Sequence, residues 1–280
     1  MFFIRNFNAN IIIVQNKIDL VTKEEALENY KQIREFLKNT VYKDVPIIPI
    51  SARANANIDA LITAIEDHIK TPARDSAKPA LMLVARSFDV NKPGIKPAKL
   101  VGGVLGGTIK QGKFKIGDEI EILPGYMVEE KNKKVYKPLT TKIVQIFSGG
   151  QAIPEILPGG SMALGTALDP AIVKSDLLTG SLVCKAGTLP PVHYQITIET
   201  HLLERVVGAK EESEVKPLAK SEVLMLNVNS SATVGVVVDP SKKKTTCVLK
   251  KPICANLGDR ITISRKVGDR FRLIGYGILK

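Results

Sequence analysis

The chain has 280 residues, 40 basic against 28 acidic, for a formal charge of +12, and 44% of it is hydrophobic. That fraction is ample for packed cores, which excludes global disorder, and the length suits two or three domains. No run of about 18 apolar residues occurs, so no membrane-spanning helix is expected. The apolar start, residues 1–5, is short and is broken up by Arg5, Asn6 and Asn8, with no basic leader or cleavage site, so a signal peptide is not expected. The cysteines, Cys184, Cys247 and Cys254, are odd in number and form no Cys-x-x-Cys pair. They indicate neither a zinc site nor a disulfide framework, and a reducing, cytoplasmic compartment fits them best.

The charge is unevenly spread. Residues 1–78 hold 11 basic and 10 acidic side chains, residues 79–185 hold 14 and 9, and residues 186–280 hold 15 and 9. The positive field of the later two-thirds suits a polyanion such as RNA.

Residues 1–72 read as alternating strand and helix. The run Ile11-Ile12-Ile13-Val14 predicts a buried strand. Thr22-Lys23-Glu24-Glu25 is a capping box opening a helix whose apolar stripe is Ala26, Tyr30, Ile33 and Leu37. Pro46 to Ser51 predicts a second short strand with prolines at its ends. A second helix, capped by Asn57, is expected to bury Ile58, Leu61, Ile62, Ile65 and Ile69. Strand, helix, strand and helix in that order imply parallel strands.

Residues 71–79 carry two prolines and no periodicity, and read as a linker. Beyond them come short runs punctuated by glycine, at 81–88, 102–109, 119–123, 139–147, 161–166 and 181–185. This spacing predicts an antiparallel barrel over 79–186. After a join at 186–191, runs at 192–204, 222–228, 234–238, 245–249, 260–264 and 270–279 predict a second all-β domain over 190–280. The fold class is therefore multi-domain, α/β followed by all-β. Residues 125–137 and the Lys242-Lys243-Lys244 run are read as polar, solvated hairpin loops, with RNA contact as the alternative for each.

The residues that carry chemistry follow the first strand. Asn16-Lys17-Ile18-Asp19 is the Asn-Lys-x-Asp element with which guanine-nucleotide-binding proteins read the base. Guanine presents two donors on one edge, and the Asp19 carboxylate offers two acceptor oxygens at matching separation. Asn16 supplies a donor and an acceptor for the other edge and for tying loops together. The Lys17 stem can lie across the ring. Ser51-Ala52-Arg53 follows the second strand, where GTPases place a Ser-Ala-Lys-like tripeptide. There a backbone amide donates to the guanine O6, and Arg53 gives a flat cationic cover. Both motifs fall at carboxyl ends of strands, where α/β sheets bind ligands. The alternative for Asn16 and Asp19 is an Asx turn closing the strand. No G-x-x-x-x-G-K-[ST] loop occurs, and no Asp-x-x-Gly follows a strand to organise magnesium. The expectation is a GTPase domain represented by its C-terminal half, without catalytic residues or metal ligands, and with weak or absent GTP or GDP binding.

The order of a base-reading half-domain and then two barrels resembles the translational GTPases, most closely the gamma-subunit family of translation initiation factor 2, archaeal or eukaryotic. The stretches that carry the resemblance are 12–20, which includes Gln15; 87–94, Ser-Phe-Asp-Val-Asn-Lys-Pro-Gly; 102–120; 202–208, Leu-Leu-Glu-Arg-Val-Val-Gly; and 270–277. The resemblance implies a P-loop GTPase whose phosphate loop and switches precede residue 1. It implies a heterotrimer with alpha and beta subunits, which delivers initiator methionyl-tRNA to the small ribosomal subunit with GTP and magnesium. An elongation-type or selenocysteine-type aminoacyl-tRNA carrier is the alternative. Phe88 is a candidate for stacking on a terminal base, against a place in the barrel core, and Lys92 for meeting a phosphate, against an idle surface lysine. In 270–274, Phe271 and Leu273 are expected to face one way and Arg270 and Arg272 the other. That makes a basic face for RNA or a charged guard on a sheet edge.

Overall fold

The computed structural model describes residues 10–38, 40–71, 73–131, 133–187, 190–203, 205–206, 214–241 and 243–280. The chain divides into two compact units, Met1–Ala73 and Arg74–Lys280. Parts of the sequence reading, including residues 1–9, Glu204, Val207, Gly208 and Lys242, lie outside the described residues.

In the first unit, strands β1 (Ile13–Gln15) and β2 (Ile47–Pro49) pair in parallel, with Ile13 opposite Ile47. Helix α1 (Lys23–Leu37) opens on the expected capping box. The Glu25 amide donates to Thr22 Oγ1 at 3.3 Å, and the Thr22 amide donates to the Glu25 carboxylate at 2.8 Å. Its stripe ends on Leu37, buried with Tyr42 and Ile47.

Helix α2 (Ile58–His68) departs from expectation twice. Asn57 makes no side-chain cap; its φ of 57° is left-handed, and its amide nitrogen donates instead to the Pro49 carbonyl at 2.9 Å. The apolar stripe is not buried: Ile62 is 56% exposed, Ile65 and Ile69 are also exposed, and Ala64 alone is buried. Among the described residues, two three-residue strands offer too little surface to cover both helices.

The second unit holds two closed barrels. The first comprises β3 (Leu81–Phe88), β4 (Val104–Gln111), β5 (Phe114–Lys115), β6 (Glu119–Glu130), β7 (Lys133–Ser148), β8 (Gln151–Ala152), β9 (Glu155–Ile156), β10 (Met162–Thr166) and β11 (Leu182–Lys185). Strands run in the order β10-β4-β3-β11-β6-β7, and β7 pairs back onto β10 to close the ring. Met82, Leu105, Ile120, Ile122, Ile146 and Leu164 fill it. Each such burial stabilises by about 1.5–3 kcal/mol relative to exposure. At Gly107 a Cβ would lie 2.0 Å from the Leu83 carbonyl oxygen, so only glycine lets β3 and β4 approach there.

The second barrel comprises β12 (Val192–Leu202), β13 (Val223–Val228), β14 (Ser231–Pro240), β15 (Lys244–Cys254), β16 (Arg260–Val267) and β17 (Arg270–Leu279). They close in the order β12-β15-β14-β13-β16-β17, antiparallel throughout. Leu81, Leu123, Leu182 and Cys184 of the first barrel share one buried cluster with Cys254 of the second. Lys251 Nζ donates to the Thr179 carbonyl at 2.9 Å across the same junction.

One further expectation is corrected. Residues 125–137 are not a loop but a two-stranded ribbon extending β6 and β7, with Tyr126 opposite Lys137 and Glu130 opposite Lys133. Opposite charges face each other at Glu129 and Lys134, and Glu130 pairs with Lys137, so the polar residues serve as cross-strand partners. Gly125, at φ 90°, marks the kink where ribbon leaves barrel, and a Cβ there would strike the Lys137 carbonyl. In β17, Phe271 is 39% exposed and lies opposite Lys266, while Arg272 lies opposite Arg265. The register runs unbroken from Arg270 to Leu273, and a shift follows at Ile274.

The two Thr22 bonds hold the Glu25 carboxyl below its ordinary value of 4.5. Capping at the α1 start is therefore complete above pH 4.5 and is lost as pH falls through the lowered folded value. The protection of the Thr22 amide against exchange, relative to its intrinsic rate at each pH, should fall over that acidic window, and Glu25→Gln should abolish the pH dependence. Burial pushes Cys184 and Cys247 to about 11 and Cys254 to about 12. At pH 8 the thiolate fraction is then about one in a thousand or less, so a disulfide reagent should react slowly with the native chain and promptly in denaturant. Prompt reaction of any native thiol would show that its cluster is open.

Candidate functional site

The two motifs meet at the carboxyl ends of β1 and β2. The Ile50 amide donates to Gln15 O at 2.8 Å and the Ile18 amide to Ile50 O at 3.3 Å, so the strand pairing continues into both loops. Lys17 takes a left-handed turn, φ 67°, which folds Asn16 back over the strand end. Asn16 Oδ1 then accepts two backbone amides, Lys17 N at 2.8 Å and Ala52 N at 3.2 Å. A single side-chain oxygen thus joins two segments 36 residues apart in sequence.

Each segment is also tied to itself. Asp19 lies in a one-turn 3-10 helix, Ile18–Leu20, closed by the Leu20 amide donating to Lys17 O at 3.1 Å. Ser51 is buried, and its hydroxyl accepts from the Ala54 amide at 3.0 Å. The Ser51 and Ala56 backbones exchange two bonds, 3.2 and 3.0 Å, which close the loop carrying Ala52 and Arg53. Asn16, Lys17, Asp19, Ala52 and Arg53 are exposed. Among the described residues, nothing hydrogen-bonds to the Asp19 carboxylate. Chemically, the corner offers a two-oxygen acceptor, an amide donor on Asn16 and two cationic side chains.

Two supporting residues go beyond the motif. Gln15 Nε2 donates to Ala26 O at 2.8 Å and to Asn29 Oδ1 at 3.0 Å, pinning α1 beside the motif. Asn57 ties the start of α2 to Pro49. Their amide side chains, set next to strand ends, were the available signal. Among the described residues, no group of three His, Cys, Asp or Glu could hold a metal ion.

The four RNA candidates lie on the barrels. Phe88 is not core: it is 37% exposed and, with Arg86, Gly106, Gly107 and Phe147, walls a surface depression of about 420 Å³. Arg86 there is held by Asp176, Nε to Oδ1 at 2.9 Å. Lys92 is exposed on the loop that follows β3. Arg270 is exposed and Arg272 half-buried on the second barrel, so Phe88 and Lys92 share one barrel and the arginines the other.

An α/β corner of this kind followed by two six-stranded barrels defines the translational GTPase architecture. At the level of fold, the chain superposes on the apo elongation factor SelB of Methanococcus maripaludis with a TM-score of 0.72 at 20% identity, covering 100% of this chain and 61% of that one. A bacterial selenocysteine-specific elongation factor gives 0.71 at 20% identity, covering 96% of this chain and 40% of that one. Residues 1–71 match the family described as elongation factor Tu GTP binding domain, and residues 194–279 match initiation factor eIF2 gamma, C terminal. Translation initiation factor 2 subunit gamma of Pyrococcus horikoshii is 57% identical over 271 residues, covering 97% of this chain and 66% of that protein. Its counterpart in Thermococcus onnurineus is 54% identical over 273 residues, covering 98% and 67%. The chain belongs to the gamma-subunit family of translation initiation factor 2. It spans about two-thirds of the length of the curated relatives it matches.

Replacing Asn16 by Ala removes the one acceptor shared by the two loops. Because the site is exposed, water takes over both amides and the cost is modest, about 1 kcal/mol. The Ala52 amide should exchange markedly faster in Asn16→Ala while the Ser51–Ala56 pair keeps its protection. Unchanged Ala52 exchange would show that the loops are held together by something else.

Proposed function

We propose that this corner reads a guanine base and that the two barrels serve the binding and delivery of initiator methionyl-tRNA to the small ribosomal subunit. In this reading Asp19 accepts from the guanine N1–H and exocyclic amine, Asn16 contributes its free amide donor, and Lys17 and Arg53 flank the ring. Ser51 shapes the loop, and a guanine O6 shares the Ala52 amide with Asn16. The observation that carries the reading is Asn16 Oδ1 bridging Lys17 and Ala52, because it holds both base-reading motifs in one corner. Family membership supports the tRNA function, the alpha and beta subunits as partners and a cytoplasmic setting. Among the described residues no helix is long and apolar enough to cross a membrane.

The nucleotide is GTP or GDP, and in the whole factor it carries magnesium. Within these 280 residues the base corner acts without a G-x-x-x-x-G-K-[ST] loop. Base contacts alone give an affinity of about 1 mM or weaker, about −4 kcal/mol. Hydrolysis is not assigned to these residues, since phosphoryl transfer needs a metal and a positioned water. Micromolar binding of a fluorescent guanine nucleotide by this chain would defeat the weak-site reading.

Base identity gives the sharper test. Xanthine keeps N1–H but carries an oxygen in place of the exocyclic amine. Asp19→Asn presents one acceptor and one donor, which match xanthine and mismatch guanine. An unmatched polar contact costs about 1–3 kcal/mol, so preference should move toward xanthosine nucleotides by about tenfold or more. Ligand-observed NMR competition between the two nucleotides checks this. The same preference in both proteins would take Asp19 out of the site.

A further inference from the structure

We propose that residues 89–101 form a pre-ordered RNA-backbone-binding loop, clasped by Asn91 and presenting Lys92, Lys96 and Lys99 to phosphates. The inference rests on the tRNA reading above and names where the first barrel makes its electrostatic contact.

The loop leaves β3 just after Phe88 and returns to β4 at Val104. Its two ends are locked by one side chain. Asn91 Nδ2 donates to the Val101 carbonyl, and Asn91 Oδ1 accepts from the Val101 amide, both at 2.8 Å. This mimics one rung of a β-ladder across ten residues. Asp89, the acid at the neck, is bonded to Asn91: its Oδ1 accepts from Asn91 N at 2.8 Å and from Asn91 Nδ2 at 2.6 Å. Between the ends run two turns. One passes through Pro93 and Gly94 (φ 81°), with Ile95 N donating to Lys92 O at 3.3 Å. The other is the 3-10 turn Pro97–Lys99, with Lys99 N donating to Lys96 O at 2.8 Å. Two prolines and the clasp fix the backbone before any ligand arrives, which lowers the ordering cost of binding.

The loop gathers three lysines within eight residues. From residue 90 to residue 117 the sequence has no acidic residue. Elsewhere on this barrel, Lys113, Lys115, Lys137, Lys142 and Lys185 each face a carboxylate. Lys92, Lys96 and Lys99 are exposed, and among the described residues their ammonium groups have no ion-pair partner. Three uncompensated cations on an ordered loop fit successive phosphates. Val90, Ile95, Leu100 and Val101 are exposed on the same loop, which suits ribose and base faces better than a free inorganic anion.

The test is fluorescence anisotropy of labelled initiator methionyl-tRNA with the 280-residue chain over a potassium chloride series. Each phosphate contact contributes about 0.7–0.9 to the slope of log affinity against log salt. The triple variant K92A/K96A/K99A should lose about 2–3 from that slope, and the corresponding triple arginine variant should keep it. Asn91→Ala keeps the charges and should retain the slope while weakening binding several-fold. Salt-dependent binding by the unsubstituted chain with an unchanged slope in the triple alanine variant would overturn the loop assignment alone, in favour of an acidic protein partner. No tRNA binding by the unsubstituted chain would overturn the tRNA reading and the loop with it.

Discussion

A sheet closed on itself turns alternate residues of every strand into one interior, and no edge remains for further pairing. In both barrels this closure decides what solvent meets. Leu224, Leu226, Ile261 and Ile263 point inward on neighbouring strands, with Leu226 opposite Ile263 and Val228 opposite Ile261. Charged side chains are left to the outside, the mouths and the loops. The same closure buries all three cysteines, so their elevated thiol values follow from topology and not from any partner chosen for reactivity. The positive charge of the later two-thirds is thus displayed on a rigid surface, where lysine position can be specific.

The first unit works on a smaller scale. Its sheet has two strands among the described residues, and its order at the carboxyl end comes from side-chain amides. Asn16, Gln15 and Asn57 each bond to the backbone of another segment. An amide carries both donor and acceptor without charge, so it can bridge loops while leaving the carboxylate of Asp19 uncommitted. Had an acid held the two loops together, its charge would have been spent on structure. The loops are thus held by uncharged amides, and the nearby carboxylate three residues on takes no part in holding them.

Much of this was legible in the sequence, because local chemistry specifies it. The capping box at Thr22 is a contact between residues three apart, and it forms as read. The strand runs of both barrels sit close to their observed places, since alternation and glycine punctuation are local signals. What was misread depends on tertiary partners. The ribbon at 125–137 looks like a solvated loop until Glu129 and Lys134 are seen to face each other. Asn57 resembles a helix cap, but its left-handed backbone makes no side-chain cap and its Nδ2 bonds to Pro49 of another segment. Phe88 was open between core and surface, and the glycines at 106 and 107 resolve it by leaving space beside its ring. The stripe of Ile62, Ile65 and Ile69 has correct helical spacing, yet spacing alone does not supply a surface to cover it.

The distribution of lysines carries the functional logic furthest. A protein that needed charge only for solubility would gain as much from lysines paired with carboxylates, since a surface ion pair is worth little and costs little. Five lysines of the first barrel are arranged that way. The 89–101 loop departs from the pattern. It has no acid after Asp89, whose carboxylate is bonded to Asn91, and Asn91 also holds the backbone in place. Like charges held close together repel, so such an arrangement costs stability in isolation and recovers it when a polyanion lies across it. The closed barrel behind the loop makes that arrangement affordable, because β3 and β4 are fixed by their own ladder whether or not the loop is occupied.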